Sequence, residues 1–222
     1  MTSTAEEIRG ALVEAADPEL AGPMGAYMKV AENGGPGFLG IRRPAVRKAA
    51  RAAARGVGPD QLLATVVDLW DTAHFREERY AAQDLLGLSW TTGRIDLLDL
   101  HRRMVTEGAW WDHVDETAHR VADLVGTHHA VMAPTLRTWS TDDDLWVRRV
   151  AIIGQLGRKE RTDLDLLSDV IEPSTEDRRF FVRKAIGWAL RDAARTHPGW
   201  VRGFVETHEL SPLSRREAVK HL

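Results

Sequence analysis

The chain has 222 residues, 43% of them hydrophobic and 28% charged, with a formal net charge of −3 and no cysteine. That length allows one large domain or two small ones with an ample core, and the composition is that of an ordinary globular protein. The missing cysteines exclude disulfides, zinc–thiolate centres and thiol nucleophiles, and no apolar run approaches the ~20 residues that a membrane-spanning helix needs.

The chain opens with "MTSTAEEIRGALVEA", an acidic amphipathic stretch unlike a secretory signal. A cytoplasmic location is therefore expected. Breakers then divide the chain into apolar-periodic blocks: "NGGPG" at 33–37, "GVGP" at 56–59, "TTG" at 91–93, "EPST" at 172–175 and "HPG" at 197–199. Helical periodicity dominates between them and β-type alternation is scarce, so an all-α fold is expected. Charge is segregated despite the near-neutral total. "RRPAVRKAARAAAR", Arg42 to Arg55, has six basic residues and no acid, and "RRFFVRKAIGWALRDAAR", Arg178 to Arg195, has six against Asp192 alone. Two such segments suggest a polyanionic partner.

The blocks resemble one another. A basic residue followed within two places by alanine recurs at Lys48, Arg79, Arg120, Arg149, Lys184 and Arg216, at spacings of 29 to 41 residues. This is the period of helix-pair repeats, and an alanine there lets a neighbouring helix approach closely. The expected architecture is one domain over 1–222, a curved solenoid of about six helical repeats whose concave face binds a long partner.

Three blocks each carry a polar residue that their apolar face does not explain. In "AWWDHVDETAHRVADLVG", Trp110, Val114, Ala118, Val121 and Val125 share one face. Asp112 suits a helix N-terminus, whereas Asp115 falls at the edge of the apolar face, one turn after Trp111. In "LWVRRVAIIGQL", Arg148 points away from the apolar stripe and Arg149 into its flank, where a guanidinium needs an anionic partner or must reach out to water. In "FFVRKAIGWALRDAAR", Trp188 borders the core face of Val182, Ala185, Ile186, Ala189 and Ala193 and a cationic face of Lys184, Arg191 and Arg195. An aromatic beside cations suits a nucleic-acid surface. His113 and His119 face different sides of their helix and suggest no metal site. "NGGPG" lacks the spacing of a phosphate cradle, and no serine sits in a nucleophile elbow.

These residues resemble the AlkD family of DNA alkylation-repair glycosylases, which are built from HEAT-like helical repeats. The similar strings are "PMGAYMK" at 23–29, "FLGIRRP" at 38–44, "WWDHVD" at 110–115, "LWVRRVAI" at 145–152, "FFVRKAIGWALR" at 180–191 and "LSPLSRREAVKHL" at 210–222. The resemblance implies Asp115 as the catalytic carboxylate, Trp111 and Trp188 as aromatic walls, and Arg149 as a contact to the DNA backbone. It further implies DNA contacts by Arg148, Lys184, Arg191, Tyr27, Arg42, Arg43 and Phe180. The expected activity is removal of positively charged N3- or N7-alkylated purines from duplex DNA, without base extrusion, metal or cofactor, by a monomer. Two alternatives stay open at this point: a self-resistance glycosylase for bulky natural-product adducts, and a non-catalytic helical-repeat module that binds DNA or protein.

Overall fold

The computed structural model describes residues 3–222; the first two residues of the N-terminal amphipathic stretch lie outside them. The described chain forms fourteen α-helices and a few short 3-10 turns. Its β structure is a single isolated bridge between Gly37 and Phe75. The architecture is the expected all-α one, HEAT-like in its repeats. The helices cluster into two compact units, Met1–Thr92 and Gly93–Leu222, which part at the "TTG" breaker.

The first unit holds α1 (Thr4–Glu14), α2 (Pro18–Tyr27), α3 (Val30–Asn33), α4 (Arg43–Ala53), α5 (Pro59–Asp71) and α6 (Arg76–Leu86). Local chemistry sets its helix starts. Ser3 and Glu6 close a reciprocal capping box at α1, and Asp17 caps α2 ahead of Pro18. Ile8, Leu12, Val46, Val66, Leu69, Trp70 and Leu85 make the core. The loop before α4 is held by a buried acid. Glu77 on α6 accepts the backbone N–H groups of Leu39, Gly40 and Ile41 at 2.9–3.0 Å, which fixes the entry of α4 and with it Arg42 and Arg43.

The second unit holds α7 (Leu98–Gly108), α8 (Trp111–Thr127), α9 (His129–Trp139), α10 (Leu145–Ile153), α11 (Leu164–Ile171), α12 (Phe180–Ala193), α13 (Pro198–Thr207) and α14 (Pro212–Ala218). Asp144, Asp163 and Ser211 cap α10, α11 and α14 through their side chains. Val114, Val121, Leu124, Val125, Leu136, Trp146 and Val150 form one apolar cluster, and Val182, Ala185, Ile186, Leu190, Val201 and Phe204 form a second.

The alanine of each repeat does what its spacing suggests. Ala50, Ala81, Ala122, Ala151, Ala185 and Ala218 are all buried. Close packing goes furthest between α12 and α14, where a Cβ on Gly187 would stand 2.5 Å from Glu217 Cβ and 2.9 Å from the Ser214 carbonyl oxygen. Only a residue without a side chain fits there.

Candidate active site

Three helices of the second unit bring the misfit residues together. Asp115 lies on the second turn of α8, Arg149 on α10 and Trp188 on α12. Arg149 donates from Nε to Asp115 Oδ1 at 2.7 Å and from Nη2 to Asp115 Oδ2 at 2.8 Å, a bidentate pair. Its Nη1 donates to the Phe181 carbonyl oxygen at 2.7 Å. The guanidinium carbon lies 5.9 Å from the ring centroids of both Trp188 and Phe181. The carboxylate side chain is 17% exposed and the guanidinium side chain 4%, so the acid is the member of the pair that solvent reaches.

Burial pushes the Asp115 carboxyl above the ordinary value of an aspartate. The hydrogen bonds and charge of Arg149 oppose this, Asp112 one turn back adds to the rise, and His119 one turn on works against it. A carboxylate is thereby kept at the surface of a core by one fixed cation. Trp111, half-buried, packs against the apolar cluster from the position four residues before Asp115.

An aromatic triangle holds this arrangement. The rings of Trp110, Trp146 and Phe181 lie 5.8, 5.4 and 4.9 Å apart, centroid to centroid, tying the first turn of α12 to α10 and to the entry of α8. The carbonyl that receives Arg149 belongs to that first turn. The sequence reading missed Phe181, although it lies seven residues before Trp188, two helical turns and thus the same face.

The residues expected from the resemblance to contact DNA lie in different surroundings. Arg149 is buried and donates through Nε, Nη1 and Nη2 to Asp115 and the Phe181 carbonyl oxygen. Lys184 and Arg191 do not form a bare cationic face, because Glu217 of α14 pairs with them at 3.1 and 2.7 Å and with Lys220 at 2.7 Å. The Lys220 hydrogen bond first, and then Lys184, hold the Glu217 carboxyl down at about 2 against burial, so it stays ionised. Arg148 sits 3.4 Å from Asp177, which also holds Arg179. Phe180 is 53% exposed and meets Phe181 edge to face.

The remaining expected contacts belong to the first unit. Tyr27 ends α2 and is 75% exposed. Arg42 is exposed at the start of α4, while Arg43 is half-buried, 3.1 Å from Asp84 and stacked 4.5 Å from the Tyr80 ring. No group of His, Asp or Glu that could hold a metal ion is found among the described residues. No helix among them is long and apolar enough to cross a membrane.

Fold and site define a helical-repeat protein that presents one carboxylate, clamped by a buried arginine beside a tryptophan. Residues 8–222 match the model of a family described as DNA alkylation repair enzyme, and the chain belongs to that family. It is similar to the predicted DNA alkylation repair enzyme of Enterococcus faecalis, with 32% identity and a TM-score of 0.81, over 93% of this chain and 96% of the other. Two Streptococcus mutans structures share the fold. They are smu.31, at 19% identity and TM-score 0.64 over 81% and 92% of the two chains, and AlkD2, at 18% and 0.65 over 82% and 91%. No curated protein matches the sequence closely enough to count as a relative.

Proposed function

We propose that this DNA alkylation repair enzyme is a monofunctional glycosylase that hydrolyses the N-glycosidic bond of positively charged N3- or N7-alkylated purines in duplex DNA, with Asp115 as its catalytic carboxylate. The observation that carries this reading is the Asp115–Arg149 pair, in which the anion is the accessible partner and the cation is buried. Cleaving the bond develops positive charge on the sugar, and a fixed carboxylate stabilises that charge where water is partly excluded. Arg149 keeps Asp115 ionised and aimed. Each carboxylate oxygen keeps acceptor capacity beyond its one guanidinium bond, so Asp115 can also hold the attacking water.

A purine alkylated at N3 or N7 already carries the positive charge that a leaving base needs. It departs as a neutral molecule without a proton from the enzyme, which is consistent with one carboxylate sufficing. Trp111 and Trp188 would offer ring faces to the cationic base and the sugar cation, at ~0.5–2 kcal/mol each. Duplex DNA is the expected partner.

The test is release of 7-methylguanine from a duplex. Asp115→Asn should keep DNA affinity and lose at least ~10²-fold in rate, the effect of deleting one electrostatic contact to a transition state. Asp112→Asn, on the first turn of α8, should stay near wild type. Uracil and 8-oxoguanine should be poor substrates. Equal rates for the two mutants, or efficient release of a neutral base, would put the chemistry elsewhere.

A further inference from the structure

An open cavity of about 270 Å3 lies between the C-terminal half of α8 and the loop after α10, lined by Ala122, Asp123, Gly126, Thr127, Leu156, Gly157, Arg158 and Arg161. Two of its walls are arginines, and neither has a carboxylate within ion-pair distance among the described residues. Arg158 donates only to carbonyls, from Nη1 to Ala122 at 3.2 Å and from Nη2 to Arg161 at 3.3 Å, while its Nε is buried without a partner. The acids nearby are committed elsewhere. Asp123 accepts the Gly93 N–H, Asp192 accepts the Gly157 N–H, and Asp163 receives His129 and caps α11. Burial, and then the charge of Arg161, lower the Arg158 pKa, and the charge of Asp163 opposes them less strongly.

The backbone is shaped to hold this pair. Gly157 and Lys159 flank Arg158 with φ of 77° and 54°, and the left-handed region costs a non-glycine residue about 1 kcal/mol or more. A Cβ on Gly126 would stand 2.7 Å from Arg158 Nη1, so the guanidinium lies against a helix face kept bare. Two arginines without an ion-pair partner on one cavity wall suggest a bound anion.

The cavity also shares a helix stripe with the candidate active site. Ala122 and Gly126 come seven and eleven residues after Asp115, within about 20° of it on the α8 wheel and about 10–16 Å farther along the axis. That length is the axial span of roughly three to five base pairs. We propose that Arg158 and Arg161 form a phosphate-binding pocket that takes a backbone phosphate of the bound duplex, a few base pairs from the nucleotide at Asp115. The duplex part rests on the glycosylase reading above, whereas the anion site does not.

Two measurements test it without using base release. In the first, inorganic phosphate is titrated while the 15N-labelled Arg158 Nε–H resonance is followed, and a saturable shift is expected. In the second, binding to an undamaged 20-base-pair duplex is measured against salt for wild type and for Arg158→Ala/Arg161→Ala. Loss of one neutralised phosphate should lower the log–log slope by about 0.9. Arg161→Ala alone, at an exposed position, serves if the double variant does not fold. A silent resonance overturns the pocket, whatever the slope does. A phosphate response with an unchanged slope overturns the duplex assignment and leaves a site for free phosphate. Wild type that binds no duplex would sink both the glycosylase reading and the duplex assignment, with the phosphate titration still deciding the pocket.

Discussion

Arg149 grips both carboxylate oxygens of Asp115, at 2.7 and 2.8 Å, across 34 residues of sequence and two helices. Burial raises the carboxyl and the guanidinium restrains it, so the pair sets the pH at which a carboxylate is available. Removing the cation leaves burial opposed only by the weaker charge of His119. Arg149→Met should therefore move the acidic limb of the base-release profile to higher pH, with rate partly recovered in alkaline buffer. The same change breaks a buried pair and should cost about 3–5 kcal/mol of stability. Arg149→Lys keeps the charge without the fork, so it should fold better while still releasing base more slowly. A limb that stays put in both variants would show that Asp115 is not the titrating group.

Stability itself should depend on pH through His101. Burial, aided by the charge of Arg120, lowers this histidine from 6.5 to about 4. The unfolded chain then binds a proton that the folded chain refuses between those values. Stability should fall as pH drops from about 6.5 toward 4, by on the order of 3 kcal/mol. Chemical denaturation at a series of pH values, compared with His101→Phe, reads this directly. An equally steep loss in the variant would assign the effect to other groups.

Glu217 binds Lys184, Arg191 and Lys220 and so withholds their charge from any polyanion. Glu217→Gln should tighten duplex binding and steepen its salt dependence, since each further phosphate contact adds ~0.9 to the slope. Salt titrations by fluorescence anisotropy suffice. Unchanged binding in a folded variant would place the duplex away from α12 and α14.

Two glycines should respond to alanine with opposite signs. Gly187→Ala drives a methyl group into Glu217 and Ser214 and should destabilise by roughly 1–3 kcal/mol as α14 is forced off α12. Gly203, on α13, has nothing within 4 Å of its would-be Cβ, so Gly203→Ala should stabilise by up to ~1 kcal/mol through helix propensity. Thermal melts of both decide the matter; a neutral Gly187→Ala would mean that the α12–α14 contact yields.

The sequence by itself determined which segments are helical and which faces are buried, because a 3.6-residue period is a local property. The alanines of the six repeats and the core stripe of Val182, Ala185, Ile186 and Ala189 follow from spacing alone. It also showed that Asp115 and Arg149 were misplaced on their own helices and that the arginine needed an anion. What it could not show was that each is the other's partner, or that Glu217 claims Lys184 and Arg191. Charge pairing between helices depends on which helices stack and how each is rotated about its axis. Those are set by packing details such as the missing side chain at Gly187 and the Trp110–Trp146–Phe181 triangle. The tertiary structure alone therefore decided which anion each of these cations meets.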